Sequence, residues 1–524
     1  MTELNGVYDL NTKQNAFLAC NCWEYEAGGC SARVLCNPTY TDPTEVVTFV
    51  TRQNARGKIK EDGLFLAAVH HRGALYLFAD ATTSQWVLYY TLANGKFYYS
   101  TSLKTLLKES GICRELDLES AKGFLKNGIV FGEGTLVKNV KKLGVCQMLA
   151  LQNGKIKKKR TKYQTEKAHS EADLLAALRE SVERFAEGSE TIYMPLSAGY
   201  DSNTVLNTLE RKPHTVHAFT VGGKSGKNEI PVVEENVKRY SNIVHHKILA
   251  DETAFSKLPE IVWRLDGYVY ERGVFLQYLL AQAVANSGGK ALLCGECSDE
   301  HQHLLYERER KHRVKEQSLP GEVLNWMLQP YTWGNSVVLK KSALMLNSFG
   351  VLGCYPFATK RFTDMAIFFG KKNLSNKQLY IERLKDELPK EVYQNIVHAG
   401  GSTSLEAMIS PSEVEKMNEA IAQSTIIQKI LRERPTYSIS LRTEFYERYL
   451  EAKGKMGFRM QIEFIKYFLK RVARKLRLRA EKTESLEQTL DTKVKEYYLI
   501  LFYELFITEK FEELSKTPEI LSDF

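Results

Sequence analysis

No uninterrupted apolar run in this 524-residue chain approaches the roughly 18 residues that carry a helix across a bilayer. The start, Met1-Thr2-Glu3-Leu4-Asn5-Gly6, has no basic region followed by an apolar core, so it lacks the pattern of a secretory leader. A membrane role is therefore not expected, and a cytoplasmic location is. Histidine is missing from the cluster Cys20-x-Cys22…Cys30…Cys36, whose spacing is irregular. Nine cysteines, an odd number in a long chain, fit reduced thiols better than a disulfide framework or a zinc site. Cys294-x-x-Cys297 has the spacing of a redox pair, but the Gly295-Glu296 it encloses fits a different loop chemistry. Internal repeats and low-complexity segments are also lacking. The net charge of +9 is modest for this length and gives no reason to expect nucleic acid as a partner. What is present, 44% apolar and 26% charged residues, is the composition of a globular protein long enough for two or more cores.

Short β-like runs alternate with turns through the first part of the chain. They are Leu64 to Val69, Ala74 to Phe78, Trp86 to Tyr90 and Lys96 to Tyr99, with the hairpin signal Asn94-Gly95 between the last two. Helix-like segments follow at Leu103 to Leu107 and Leu118 to Lys126, so an α+β domain built on an antiparallel sheet is expected over residues 1–165. The basic stretch Lys155 to Lys162 is read as leading out of it, with the boundary near Thr165. From about Ser170 amphipathic helices are separated by short apolar strands: Val216 to Val221, Ile243 to His246 and Lys290 to Leu293. That alternation implies a parallel sheet covered by helices, with ligands at the carboxyl ends of its strands. Residues 166–524 are read as this second domain, mostly helical beyond about Pro320.

The loop Pro195-Leu196-Ser197-Ala198-Gly199-Tyr200-Asp201-Ser202 follows the β-like run Thr191 to Met194 and opens a helix-like run. Small residues let backbone N–H groups reach a phosphate, hydroxyls add donors, and the new helix turns its positive end toward the anion. Asp201 inside such a loop would repel phosphate unless a divalent cation lay between them, which suggests Mg²⁺ on pyrophosphate oxygens. The loop has no lysine and differs in spacing from the GxxxxGK[ST] phosphate loop. Its alternative reading is an ordinary strand-to-helix turn with Asp201 or Ser202 as N-cap. A second loop, Cys294-Gly295-Glu296-Cys297-Ser298-Asp299-Glu300, gathers three carboxylates behind a buried strand. Either it is a solvated acidic turn or Asp299 is a second cation ligand.

The first loop resembles the pyrophosphate signature Ser-Gly-Gly-x-Asp-Ser of the N-type ATP pyrophosphatases, with Ala198 in place of one glycine. The second resembles Ser-Gly-Glu-Gly-(Ala/Ser)-Asp-Glu of the asparagine synthetase family. Val216 to Val221 and Ile243 to His246 are similar to that family's His-x-Phe-x-Val and Val-His-His strands. The similarity extends into its class II glutamine amidotransferase module through Asp62-Gly63-Leu64-Phe65, the Leu75 to Asp80 strand, Leu88-Tyr89-Tyr90, Ser100 to Lys104 and Thr135-Leu136 through Leu143-Gly144. The resemblance implies an Ntn-hydrolase-like antiparallel domain followed by an adenine-nucleotide α-hydrolase-like parallel-sheet domain. It also implies ATP and Mg²⁺. Ser197, Gly199, Asp201 and Ser202, together with Leu196 and Tyr200 of the same loop, would bind the nucleotide at its pyrophosphate, and Val221 and Gly295 at the adenosine. Asp201 and Asp299 would hold the metal, and Glu296 would lie near the attacking amine as a base.

Departures from the family shape the expectation as much as the matches. The family's glutaminase uses a cysteine directly after the initiator Met, and here residue 2 is Thr2 while Asn5-Gly6-Val7 resembles the Cys-Gly-Ile start. Asn5 cannot be that nucleophile, and the family's Arg-Gly-Pro-Asp and Asn-Gly-Glu motifs are absent; His71-Arg72-Gly73 reads as a hairpin turn. Glutamine hydrolysis is expected to be lost, as in β-lactam and carbapenam synthetases and lasso-peptide macrolactam cyclases, whose substrates bring their own amine. After Leu388-Pro389, where the family has an Arg-x-Lys motif, the chain reads Gln394-Asn395-Ile396-Val397-His398, so His398, or a lysine such as Lys453 or Lys455, would have to replace the lysine. The expected activity is an AMP-forming amide synthetase joining a small-molecule or peptide carboxylate to an amine. An ammonia-dependent asparagine synthetase and a non-catalytic partner-binding form are the alternatives. Asp266 to Tyr278, with Arg272, is expected to line the acceptor pocket. Arg459 to Arg479 places Ile462, Ile465, Leu469, Val472 and Leu476 on one helical stripe ringed by basic residues, either a solvated face or a surface for a peptide carrier or partner protein.

Overall fold

The computed structural model describes residues 3–18, 22–37, 40–52, 58–60, 63–80, 85–144, 147–161, 170, 172–209, 214–223, 228–299, 334–373, 377–396, 404–432 and 486–508. Among them the N-terminal part forms two antiparallel sheets. The first runs in the order β2 (Asn15–Phe17), β1 (Asn5–Asp9), β8 (Lys96–Ser100), β7 (Tyr89–Ala93), β9 (Lys141–Lys142). The second runs β11 (Lys155–Arg160), β10 (Gln147–Gln152), β6 (Ala74–Ala79), β5 (Phe65–His71), β4 (Cys30–Cys36), β3 (Trp23–Ala27).

Three tight hairpins fix the register of these sheets. Arg72-Gly73, Asn94-Gly95 and Asn153-Gly154 each place two consecutive residues at positive φ, between 50° and 73°, the twist that suits a two-residue connection. The turn expected at His71-Arg72-Gly73 is thus one of them. The third hairpin corrects the reading of Lys155 to Lys162. Lys155–Arg160 does not lead out of the domain but folds back as an edge strand on β10, Lys155 opposite Gln152 and Arg160 opposite Gln147. A lysine-rich strand hides its β character from composition, yet cations are well suited to an unpaired sheet edge.

Apolar side chains lock the sheets into four layers. Leu66, Leu75, Leu77, Leu149 and Leu151 of one sheet meet Tyr8, Tyr90, Phe97 and Tyr99 of the other. On the outside, Val46, Val47, Phe49 and Val50 of the helix Pro43–Thr51 cover the second sheet. The helix Leu103–Ser110 covers the first, and Leu118–Asn127 packs against the helix Leu486–Phe502; each is N-capped by a side chain, Ser102 or Asp117, and closed by a glycine in the left-handed region.

Parallel pairing begins in the second part. β12 (Thr191–Pro195), β13 (Thr215–Gly223) and β14 (Ile243–Ala250) form one parallel sheet, and β15 (Ala291–Leu293) pairs in parallel with β16 (Leu352–Cys354). The helices Ala172–Ala186 and Tyr200–Leu209 bury Leu174, Leu178, Val205 and Leu206 on one face. Val274–Asn286 packs on the opposite face through Val274, Phe275 and Val284. The class is α/β, with antiparallel sheets first and parallel sheets later. The boundary expected near Thr165 falls outside the described residues. No helix among the described residues is long and apolar enough to cross a membrane.

The two parts share a core. Tyr270 N–H donates to Gly128 C=O at 2.7 Å, and Tyr498 of the helix Leu486–Phe502 packs on Phe124 while its hydroxyl donates to Val269 C=O at 3.1 Å. The basic segment Arg459 to Arg479 lies outside the described residues.

Candidate functional site

β12 ends at Pro195, and its neighbour β13 runs on beside the next turn: Leu196 N–H donates to Phe219 C=O at 2.8 Å and Thr220 Oγ1 donates to Leu196 C=O at 2.7 Å. The chain then turns through Ser197-Ala198-Gly199 into the helix Tyr200–Leu209. Side chains of the protein itself hold this turn. Ser197 N–H donates to Ser202 Oγ at 3.1 Å, Gly199 N–H to Ser197 Oγ at 3.2 Å, and Ala198 N–H to Glu229 Oε2 at 2.9 Å. The Asn203 amide spans it, donating to the carbonyls of Ser197 at 3.0 Å and Gly199 at 2.7 Å. A turn whose groups are bonded this way is preorganised.

The loop after β15 closes on the first loop at van der Waals distance. A Cβ on Gly295 would lie 3.0 Å from Ser202 N and 3.2 Å from Ser202 Cα, so the two backbones touch only because residue 295 has no side chain. Ser298 Oγ donates to Asp201 Oδ1 at 2.8 Å. Cys294 and Cys297 flank this contact as buried residues, and burial pushes the Cys294 thiol well up, opposite to what a redox nucleophile needs.

Between the loops lies a cleft of about 290 Å³. Leu196, Ser197, Gly199, Asp201, Ser202, Val221, Gly295 and Glu296, all expected at the nucleotide or amine, line it. Tyr200 does not, its ring lying 5.7 Å from that of Tyr393. As a helix residue beside Asp201 it projects in a different direction. Asp299 does not line it either, and its side chain is 73% exposed.

The charge arrangement includes a residue that the sequence motifs do not reveal. Lys377 Nζ lies 2.8 Å from Asp201 Oδ2 and 2.9 Å from Asp299 Oδ1, so one ammonium bridges both carboxylates. Lys377 is buried and precedes the helix Gln378–Leu384, with φ at +57°. Burial works against its charge, but Asp201 and Asp299 outweigh that and hold its pKa above the ordinary lysine value. Burial pushes the Asp201 carboxyl up, with Lys377 and Ser298 opposing. The donor chemistry suits a divalent cation: two carboxylates face one position, and a cation already stands in it. No group of three or more His, Cys, Asp or Glu that could hold a metal ion converges among the described residues.

Glu296 sits deeper. Gln277 Nε2 donates to its Oε1, while Glu296 Oε2 and Gln277 Oε1 are buried without a hydrogen-bond partner. Burial pushes the Glu296 carboxyl up, against the pull of nearby Ser342, Lys341 and Gln277. The acceptor segment needs a correction at its start: Asp266 faces the N-terminal domain, where the Lys104 ammonium meets its buried charge. Leu276 and Gln277, later in the same segment, do line the cleft. His398, Lys453 and Lys455 lie outside the described residues. Of the residues the motifs did not indicate, Glu229 and Lys377, only Glu229 had a local signal, its place just before a helix that begins Ile230-Pro231.

Residues 173–348 match the asparagine synthase family model. The matched segment, less than half of the chain, contains both loops, β12 to β15 and Glu296, and ends short of Lys377. Among solved structures, the chain is similar to an allosteric regulatory enzyme of purine biosynthesis (6% identity, 45% of this chain and 64% of that chain, TM-score 0.18). It is also similar to a glutamine phosphoribosylpyrophosphate amidotransferase from B. subtilis complexed with ADP and GMP (8% identity, 53% and 64%, TM-score 0.19). The chain thus spans under two thirds of either protein, and TM-scores this low carry no argument. No curated protein matches the chain.

Proposed function

We propose that the chain is an ATP-dependent ligase that forms an amide bond through an acyl-adenylate, with AMP and pyrophosphate as by-products. A carboxylate substrate attacks the α-phosphate, and an amine carried by the substrate or by a second molecule then opens the mixed anhydride; hydroxide, a poor leaving group, is replaced by a good one. The observation that carries this reading is the closure of the two loops on one cleft, where Ser298 Oγ meets Asp201 at 2.8 Å inside a segment matching the asparagine synthase family. Ser197, Gly199 and Ser202 would position the pyrophosphate, and Val221 and Gly295 the adenosine. Mg²⁺ held by Asp201 and Asp299 would neutralise charge on the departing pyrophosphate. Lys377, which contacts these carboxylates here, would be released to the phosphates when the metal binds, which answers the missing Arg-x-Lys motif and favours catalysis over a purely partner-binding role. Glu296, which lines the cleft, would act as base toward the amine.

An Ntn-hydrolase-like scaffold without glutaminase activity is the matching reading of the N-terminal sheets. Asn5 there is buried in β1, donating to Glu3 and accepting from Ser100 Oγ, and offers no nucleophile. This supports an amine supplied by the substrates, as in lactam- and macrolactam-forming relatives, over glutamine. ATP–pyrophosphate isotope exchange with Mg²⁺ tests the proposal, using aspartate and then fractionated carboxylates and peptides. Exchange that depends on a carboxylate and disappears in Asp201→Asn is the expected result. ATP binding without exchange in any fraction would leave the partner-binding alternative.

A further inference from the structure

Two carboxylates that share a cation usually wait for it with water between them. Here the chain supplies its own. Lys377 Nζ contacts both oxygens of Asp201, at 2.8 and 3.0 Å, Asp299 Oδ1 at 2.9 Å, and Ser298 Oγ at 3.4 Å. The side chain is only 10% exposed, and the ammonium lies 5.6 Å from the centre of the Tyr380 ring, which sits one helical turn on. An ammonium and a divalent metal compete for the same oxygens, since each needs them as its direct neighbours and the two cations repel.

We propose that Lys377 is a tethered counter-ion that fills the metal position between Asp201 and Asp299 in the nucleotide-free protein, so that the divalent metal enters with the triphosphate and not ahead of it. The inference rests on the reading of these two carboxylates as the metal pair. A triphosphate brings several negative oxygens to the same loop and gives the ammonium an alternative partner, so nucleotide releases the carboxylates. Backbone geometry favours that release. Lys377 holds φ at +57°, a region that a residue with a Cβ occupies only when its contacts require it. The ion pair provides those contacts, and losing it frees the residue to leave. The consequence is ordered binding: free metal is excluded by the fraction of molecules in which the pair is closed.

Mn²⁺ binding to the full chain, read by electron paramagnetic resonance, tests this without requiring turnover. In the absence of nucleotide, Lys377→Met and Lys377→Gln are expected to bind Mn²⁺ at least about tenfold more tightly than wild type, because the closed fraction is gone. Lys377→Arg, which keeps a cation on the tether, is expected to stay close to wild type. With a non-hydrolysable ATP analogue, the neutral variants are expected to lose most of their advantage. Equal Mn²⁺ affinity in wild type and a folded neutral variant without nucleotide would overturn the proposal. Two neutral variants are used so that a folding failure in one leaves the comparison intact. Asp201→Asn separates the two readings. If it binds Mn²⁺ as wild type does while Lys377→Met gains affinity, the metal pair is misassigned; if it loses Mn²⁺ and Lys377→Met gains none, the pair stands and the tether falls.

Discussion

Asp266 Oδ2 accepts the Leu103 N–H at 2.8 Å, and its other oxygen takes the Lys104 ammonium. Leu103 opens a helix of the N-terminal domain, whereas Asp266 follows Leu258–Arg264 of the second, so one carboxylate joins the two. Lys104 also donates to Trp263 C=O at 2.7 Å and lies 5.0 Å from the Trp263 ring centre. Breaking a buried pair by deleting one partner leaves the other charge uncompensated, a loss of about 3–5 kcal/mol. Asp266→Ala is therefore expected to destabilise strongly in urea. Lys104→Ala in that background should add little, because the pair is already broken. Additive losses would show that the two side chains act separately.

Lys142 presents the opposite situation, a buried ammonium that meets a carbonyl and a ring. It donates to Val130 C=O and lies 5.1 Å from the Tyr268 ring centre. Burial, aided by the charge of Lys340, pushes its pKa down to about 7. A depressed folded pKa means that the unfolded chain binds the proton more tightly. Stability is then greatest above the unfolded value and falls as pH drops toward 7. Every tenfold loss of proton affinity on folding corresponds to about 1.4 kcal/mol, so Lys142→Met should gain stability over wild type near pH 7. The gain should shrink steadily toward pH 10. Urea melts of both proteins across that range measure the difference, and a gain independent of pH would assign the effect to packing instead.

Glu296 titrates with the other sign. Burial raises its carboxyl above the ordinary range; its contribution to stability is full below the unfolded pKa and is lost as pH rises through the folded one. Glu296→Gln, close in shape and unable to ionise, is expected to melt higher than wild type at neutral pH and no higher in acid. If Glu296 is the base, the same variant should retain pyrophosphate exchange while amide formation falls by about 10²–10⁴-fold. Equal loss of both steps would place Glu296 in adenylation.

What could be read from the sequence was local. Asp201 and Ser202 follow a turn between a β run and a helix run, at the start of that helix, and the structure keeps that order. Gly295 and Glu296 are legible in the same way, and the Asn94-Gly95 hairpin lies where its dipeptide indicates. Direction within the loop is less legible: Tyr200 belongs to it but turns toward Tyr393, since a helix spreads successive side chains by about 100°. Lys155–Arg160 escapes a composition-based reading because lysine carries a weak β signal, although Asn153-Gly154 in front of it announces a hairpin. Lys377 is out of reach altogether. Its partners lie 176 and 79 residues away at Asp201 and Ser298, and no periodicity or spacing encodes such a contact.

The packing of the two loops gives a final contrast between two glycines. At Gly199 an added Cβ would meet Ser197 Oγ at 3.3 Å, a hydroxyl that can turn aside. At Gly295 it would meet backbone, Ser202 N at 3.0 Å and Ser202 Cα at 3.2 Å, which moves only if a loop moves. Gly295→Ala should therefore separate the loops and disturb the Ser298–Asp201 hydrogen bond, whereas Gly199→Ala should be accommodated. Loss of one such polar contact and its alignment is worth about 1–2 kcal/mol, so ATP affinity is expected to fall by roughly tenfold in Gly295→Ala and by less than about threefold in Gly199→Ala. Equilibrium binding of a fluorescent ATP analogue to both variants checks the order. If Gly199→Ala were the more damaged, the N–H groups of the first loop, rather than the contact between loops, would control nucleotide binding.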